Sequence, residues 1–64
     1  PEAAENVASG KRSAVFGGFR NKASNLDAIV AGGIKNIASG DFASIFGGDS
    51  KTAASDGQTV VGDP

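Results

Sequence analysis

The sequence predicts an all-β fold, a parallel β-solenoid or β-roll of about four coils, each fifteen residues long. Three observations lead to this prediction. The 64-residue chain matches itself without gaps at a shift of fifteen residues, and a fixed short period is typical of stacked repeat architectures. Each repeat holds two short segments of small and apolar residues. Glycine pairs follow the second segment in three of the four copies.

Four columns of this self-alignment are nearly uniform. One is alanine, one is β-branched, one is glycine, and asparagine occupies a fourth in three copies. In that order the columns are Ala8, Ala23, Ala38 and Ala53; Val15, Val30, Ile45 and Val60; Gly17, Gly32, Gly47 and Gly62; and Asn6, Asn21 and Asn36. We interpret the asparagines as a side-chain ladder at a turn, and these glycines as turn residues that supply a positive φ.

Strands explain each repeat better than a helix does. A glycine pair every fifteen residues would cost a helix interior about 1 kcal/mol per glycine. The β-branched column instead suits strands, because branched side chains pack well on a pleated surface. We therefore expect two strands of about five residues and two turns per repeat. Each strand pairs with its equivalent one coil away at about 4.8 Å.

Alternation along a strand sorts the side chains into an inner and an outer set. If Val15 and its equivalents point inward, so do Ser13, Ala28, Ala43 and Gln58. On the first strand the alanine column of Ala8 points inward, and its neighbours point outward: Val7, Lys22, Ile37 and Thr52. The outer set on the second strand forms an apolar stripe, and such stripes mark interfaces. The candidate interface residues are Ala14, Phe16, Ile29, Ala31, Phe46 and Val61. The alternative is the reversed facing, in which this stripe is the core.

Composition limits the class of protein. We expect one repeat domain over residues 1–64, with repeats at about 4–62, taken from a longer chain. Its core of Ala, Ser and Val is thin, so stability must come from further coils, caps or neighbouring chains. With no Cys and no His, disulfides and zinc sites are excluded. A net charge of −1 does not favour nucleic acid, and no apolar run reaches the roughly 18 residues of a membrane span.

The residues do not favour an enzyme. Without His or Cys the usual nucleophile–base pairs cannot form, and serine recurs here as a periodic residue. The run from Gly10 to Ser13 lacks the upstream glycine and the Lys-Ser/Thr step of a phosphate-binding loop. The fifteen-residue period also differs from the nine-residue unit of calcium-binding rolls. We therefore expect no catalytic residues, no cofactor and no metal.

Charged residues lie mostly in the turn columns. Glu5 lies one coil from Arg20, and Arg12 one coil from Asp27, so both pairs are candidate ladder salt bridges. The first coils are basic and the last are acidic: Lys11, Arg12, Arg20, Lys22 and Lys35 against Asp41, Asp49, Asp56 and Asp63. Phe19 and Ile34 follow the glycine pairs. Two roles are open for them, an extension of an intersubunit seam or a contact for a ligand.

The repeat from Asn36 to Gly48 resembles the head repeats of trimeric autotransporter adhesins, the YadA-like heads. The resemblance implies a left-handed parallel β-roll, a homotrimer, and display at the bacterial cell surface. The outer-membrane anchor then lies in segments outside this sequence. It also implies adhesion to host matrix or cell-surface proteins, a virulence function. The fourth copy departs from the pattern at residues 53–57 and has Asp63 in place of its second glycine. Neither a neck motif nor a heptad stalk is present in the sequence.

The leading hypothesis is thus a non-enzymatic adhesin head segment that trimerises through the apolar stripe. It would bind neither nucleic acid nor, by this segment, the membrane interior. One alternative is an ice-binding β-solenoid. An ice-binding face needs a regular array of Thr or similarly small groups, and the outward columns of this chain are irregular. A second alternative is a structural segment of a phage fibre.

Overall fold

The computed structural model describes residues 5–62, whose regular structure consists of two-residue strands. These are β1 (Val7–Ala8), β2 (Ala14–Val15), β3 (Lys22–Ala23), β4 (Ile29–Val30), β5 (Ile37–Ala38), β6 (Ser44–Ile45), β7 (Thr52–Ala53) and β8 (Thr59–Val60). Odd-numbered strands form one parallel sheet and even-numbered strands form a second. The chain is therefore an all-β parallel solenoid of about four coils. Its strands are shorter than the five residues predicted.

The strands pair in a register of fifteen residues throughout. Val7 lies opposite Lys22 in the first sheet and Val15 opposite Val30 in the second, as the repeat predicts. A third, narrow side is formed by isolated parallel bridges that join Phe19, Ile34 and Asp49. We call each coil a rung: rung one spans residues 6–20, rung two 21–35, rung three 36–50 and rung four 51–62.

The core consists of the columns predicted to point inward. Its fully buried apolar residues are Ala23, Ala28, Val30, Ala38, Ala43, Ile45 and Ala53. Val15 and Val60 pack against them from the end rungs. The reversed facing is therefore wrong, because the phenylalanines lie outside. Val30 and Ile45 are the largest fully buried apolar side chains, each contributing about 1.5–3 kcal/mol, so the core is thin.

Two inward positions in the outer rungs differ from expectation. Ala8 in rung one and Gln58 in rung four are both exposed. A side chain in an outer rung has a described neighbour on one side only, so it is less enclosed than its equivalents in rungs two and three. Gln58 instead accepts a hydrogen bond through Oε1 from the backbone N–H of Ser55, at 3.1 Å.

The turn glycines do not all act as predicted. Gly17, Gly32 and Gly47 do not have a positive φ, whereas Gly62 does, at 81°. The left-handed step falls on the following glycine instead, at Gly18, Gly33 and Gly48, with φ of 96°, 102° and 116°. A Cβ on Gly18 or Gly33 would also overlap the next rung, so the second glycine of each pair is the one that the turn requires.

Non-glycine residues also adopt positive φ at two positions in each of rungs one to three. One is the column of Arg12, Asp27 and Phe42, with φ between 57° and 62°. The other is the column of Arg20, Lys35 and Ser50, with φ between 55° and 61°. These reversals interrupt the extended backbone, which explains why the strands are so short. Residues 5–62 contain no helix long and apolar enough to cross a membrane.

Candidate interaction surface

The asparagine column forms the ladder that the sequence predicts. Oδ1 of Asn21 accepts the backbone N–H of Asn36 at 3.0 Å, and Oδ1 of Asn36 accepts that of Lys51 at 2.9 Å. Nδ2 of Asn36 donates to the carbonyls of Gly32 and Gly48, both at 3.0 Å. Both asparagines are buried, and every buried side-chain polar atom among residues 5–62 has a partner. The ladder therefore anchors the glycine corner from inside.

The first glycine of each pair lies beside open space. A Cβ placed on Gly17, Gly32 or Gly47 would meet no atom within 4 Å. These residues also lack a positive φ. Neither the backbone conformation nor the packing of one chain therefore requires glycine there. These glycines directly follow the outward stripe in the sequence.

The predicted interface residues lie together on the outer face of the even-numbered sheet. Phe16, Phe46 and Val61 are 74%, 58% and 70% exposed. Ala14, Ile29 and Ala31 are partly buried on the same face. In rungs one to three, one large apolar side chain accompanies one small one: Ala14 with Phe16, Ile29 with Ala31, Ser44 with Phe46. We call this surface the apolar stripe.

The corner that precedes each even-numbered strand is basic in rung one and acidic in rungs two to four. We call residues 10–13 and their equivalents the first corner. Arg12 and Asp27 form a salt bridge there at 2.9 Å, confirming one predicted pair. The Arg12 side chain is 69% exposed, so the pair contributes at most about 1 kcal/mol. Asp56 accepts the backbone N–H of Asp41 through Oδ1 at 3.1 Å. The second predicted pair, Glu5 with Arg20, stays a prediction, and Asp63 lies outside the described residues.

The corner that follows each even-numbered strand is basic in rungs one and two. We call residues 17–20 and their equivalents the second corner. Phe19 and Ile34 are exposed there, and Arg20 lies over the Phe19 ring at 5.3 Å from its centroid. Lys35 is exposed beside Ile34. In rung three the equivalent residues are Asp49 and Ser50, so the basic character ends at rung two.

Sequence reasoning did not single out Phe42. This residue is 58% exposed and has φ of 62°, an unfavourable backbone conformation for a bulky side chain. Gly57 occupies the same position one rung later and also has a positive φ, so a glycine in this column is the sequence feature that could have indicated a left-handed step. Val7 and Ile37 were identified as outward-facing, and both are exposed on the odd-numbered sheet.

The candidate site is an outer surface. Residues 5–62 enclose no detectable pocket, and they bring together no group of three acidic residues that could hold a metal ion. No protein-family model, curated protein or solved structure matches this chain. What is established is a parallel β-solenoid with an exposed apolar stripe between two charged corners.

Proposed function

We propose that this chain is a non-enzymatic head segment of a bacterial trimeric autotransporter adhesin. Three copies pack through the apolar stripe, and the remaining outer surfaces bind a host matrix or cell-surface protein. The observation that carries the proposal is the exposure of Phe16, Phe46 and Val61 on one face of a chain with a thin core. Large contiguous apolar patches on a soluble fold favour a protein interface.

Burial of this stripe is a sizeable driving force. Each large apolar side chain contributes about 1.5–3 kcal/mol when it is fully removed from water. Association of two proteins costs about 4–15 kcal/mol in lost freedom of motion. Burial of one phenylalanine therefore cannot offset the cost of association, whereas burial of several large apolar side chains in each subunit can. This comparison favours an interface that runs along the whole stripe.

The alternation of large and small side chains also fits packing between identical copies. When copies surround an axis parallel to the solenoid, the same rungs lie at the same height. The Phe16 side of one copy then lies near the Ala14 side of its neighbour, and Phe46 near Ser44. Large against small at each level allows close packing without voids. The open space beside Gly17, Gly32 and Gly47 supports a close approach of the neighbouring backbone.

The adhesive role rests on the resemblance of the repeats to YadA-like heads. In that setting the outer face of the odd-numbered sheet stays accessible, with Val7, Lys22, Ile37 and Thr52 along it. We propose this face as the surface presented to the host ligand. The chain then lies at the bacterial cell surface, and the outer-membrane anchor is supplied by segments outside this sequence.

Light scattering at micromolar concentration tests the assembly. We expect the mass of three chains. Phe46→Asp should dissociate or unfold the trimer, because it places charge in the stripe. Ile37→Asp is the matched control: it introduces the same charge at an exposed apolar residue on the opposite sheet. A stable, folded monomer of the wild-type chain would overturn the proposal.

Adhesion needs a separate assay. We expect the trimer to bind to surfaces coated with extracellular-matrix proteins, and Ile37→Asp to reduce this binding while leaving the mass unchanged. A trimer that binds no host surface would refute the adhesive role and leave the assembly standing. A thermal-hysteresis measurement addresses the ice-binding alternative, and we expect no hysteresis.

A further inference from the structure

The two corners flank the apolar stripe and differ in charge. The first corner carries two apolar–acidic doublets: Leu26 with Asp27 in rung two, and Asp41 with Phe42 in rung three. The second corner carries two apolar–basic doublets: Phe19 with Arg20 in rung one, and Ile34 with Lys35 in rung two. Each corner therefore offers the same two kinds of contact, apolar and charged, with charges of opposite sign.

The doublets repeat at the same interval on both corners. On the second corner, Phe19 and Ile34 form a parallel bridge between adjacent rungs. On the first corner, the backbone N–H of Phe42 donates to the carbonyl of Leu26 at 2.8 Å, so these doublets also lie one rung apart. The chain rises steadily along the solenoid, so the second corner of each rung lies in height between the first corner of the same rung and that of the next rung. Because both intervals are one rung, the second-corner doublets of rungs one and two can meet the first-corner doublets of rungs two and three at once.

Chain direction determines which corners meet. The first corner precedes each even-numbered strand and the second follows it. Around an axis parallel to the solenoid, the first corner of one copy therefore lies beside the second corner of the next. An antiparallel, face-to-face pair instead places each corner against its own kind. Like charges then face each other, which costs free energy and disfavours this arrangement.

We propose that the acidic first corner of one copy binds the basic second corner of its neighbour, a contact that fixes the parallel order of the copies. This inference rests on the proposed assembly through the apolar stripe. Lys35 and Asp41 carry it best, since neither side chain has a hydrogen-bond or ion-pair partner among residues 5–62. Charge pairs of this kind contribute more to orientation and association rate than to affinity.

The charges of the two corners are complementary only in the middle rungs of the chain. In rung one the first corner carries Lys11 and Arg12, and Arg12 already pairs with Asp27. In rung three the second corner carries Asp49, close in height to the acidic residues of the first corner. Asp49 therefore weakens the charge complementarity between the two corners. Asp49→Lys should extend the basic corner by one rung and tighten the assembly.

Charge reversal tests the contact by sedimentation velocity over a concentration series. Lys35→Glu and Asp41→Lys should each raise the apparent dissociation constant on the order of 10-fold, because each replaces attraction by repulsion. The two substitutions move the net charge in opposite directions, so a net-charge effect cannot explain two losses. The double variant, Lys35→Glu with Asp41→Lys, should recover most of the affinity. Lys22→Glu, on the outer face of the odd-numbered sheet, is the matched control and should have little effect.

The outcomes separate this inference from the proposed function. Circular dichroism first establishes that each variant keeps the wild-type fold. If wild-type protein assembles but Lys35→Glu, Asp41→Lys and high salt leave the dissociation constant unchanged, the corner contact is wrong and the stripe interface stands. A double variant weaker than both single variants would also overturn it. A monomeric wild-type chain would overturn both proposals.

Discussion

The side chain of Asn21 accepts the backbone N–H of Asn36, fifteen residues later, at 3.0 Å. The side chain of Asn36 likewise accepts the N–H of Lys51, and the side chain of Asn6 accepts the N–H of Asn21. Each asparagine thus supplies a hydrogen-bond acceptor to the next rung, while its Nδ2 satisfies carbonyls at the glycine corner. A fold with so little apolar core depends strongly on such a polar network, because an unpaired buried group costs about 1–3 kcal/mol.

Asn36→Ala should therefore lower the free energy of unfolding by about 2–4 kcal/mol. The substitution leaves the N–H of Lys51 without its acceptor and removes the Nδ2 donor from two glycine carbonyls. Asn25→Ala is the matched control, since Asn25 is exposed and donates one side-chain hydrogen bond, to the Ser39 carbonyl at 2.7 Å. It should cost less than about 1 kcal/mol. Urea denaturation at equal protein concentration measures both, and equal losses would refute the structural importance of the ladder.

The two glycines of one pair should differ in how much stability the chain loses when each is replaced by alanine. Gly33→Ala should cost about 2–4 kcal/mol, because φ is 102° and the new Cβ would overlap the Gly48 carbonyl and the Asn36 side chain. Gly32→Ala should change the stability of a single chain by less than about 1 kcal/mol. It should nevertheless weaken assembly if a neighbouring copy fills the open space there. Thermal denaturation and sedimentation of both variants give the comparison, and equal destabilisation would contradict it.

Phe42→Asn should raise the free energy of unfolding of the single chain by about 0.5–1 kcal/mol. Asparagine tolerates the left-handed backbone that Phe42 adopts, and little packing is lost because the ring is 58% exposed. The same variant should weaken assembly if the ring lies in the corner contact. Denaturation at low protein concentration reports the first effect, and sedimentation reports the second. A less stable monomer would show that the ring packs within its own chain.

Arg12→Ala should have a small effect, below about 1 kcal/mol at low salt. Its partner Asp27 lies 2.9 Å away, but the arginine side chain is largely exposed and water screens the pair. The difference from wild type should shrink in 1 M salt, where screening is stronger. Thermal melts at both salt concentrations test this. A loss that is large and independent of salt would indicate that Arg12 contributes through packing.

Much of the solenoid could be predicted from the repeat. The fifteen-residue register predicted the pairing of Val15 with Val30, and alternation along the strand predicted that Val30 is buried and Phe16 exposed. These features follow from the sequence because side chains in a stacked coil face the same environment in every rung. The asparagine ladder followed from the same regularity.

The turns were harder to predict. Gly17 and Gly18 are both glycine, and the sequence does not show which one has the positive φ. The choice depends on how closely the next rung approaches, since Gly18 lies against Gly33 while Gly17 faces open space. Phe42 was missed for a related reason. A bulky aromatic side chain does not indicate a left-handed step, and the turn geometry is set by the backbone of the whole coil.

Equivalent positions of successive rungs hold similar residues in the interior of this solenoid but different residues on its exterior. Inside, each rung replaces the last: alanine lies on alanine, and valine lies on valine or isoleucine. Outside, rungs one and three agree at Phe16 and Phe46, whereas rung two has Ala31 in that position. Removing residues 21–35 should thus join rung one to rung three in the same inner register, with alanine again on alanine, while it brings two phenylalanines into adjacent levels. A change of length by one coil therefore keeps the stacking of the interior and alters the pattern of the surface.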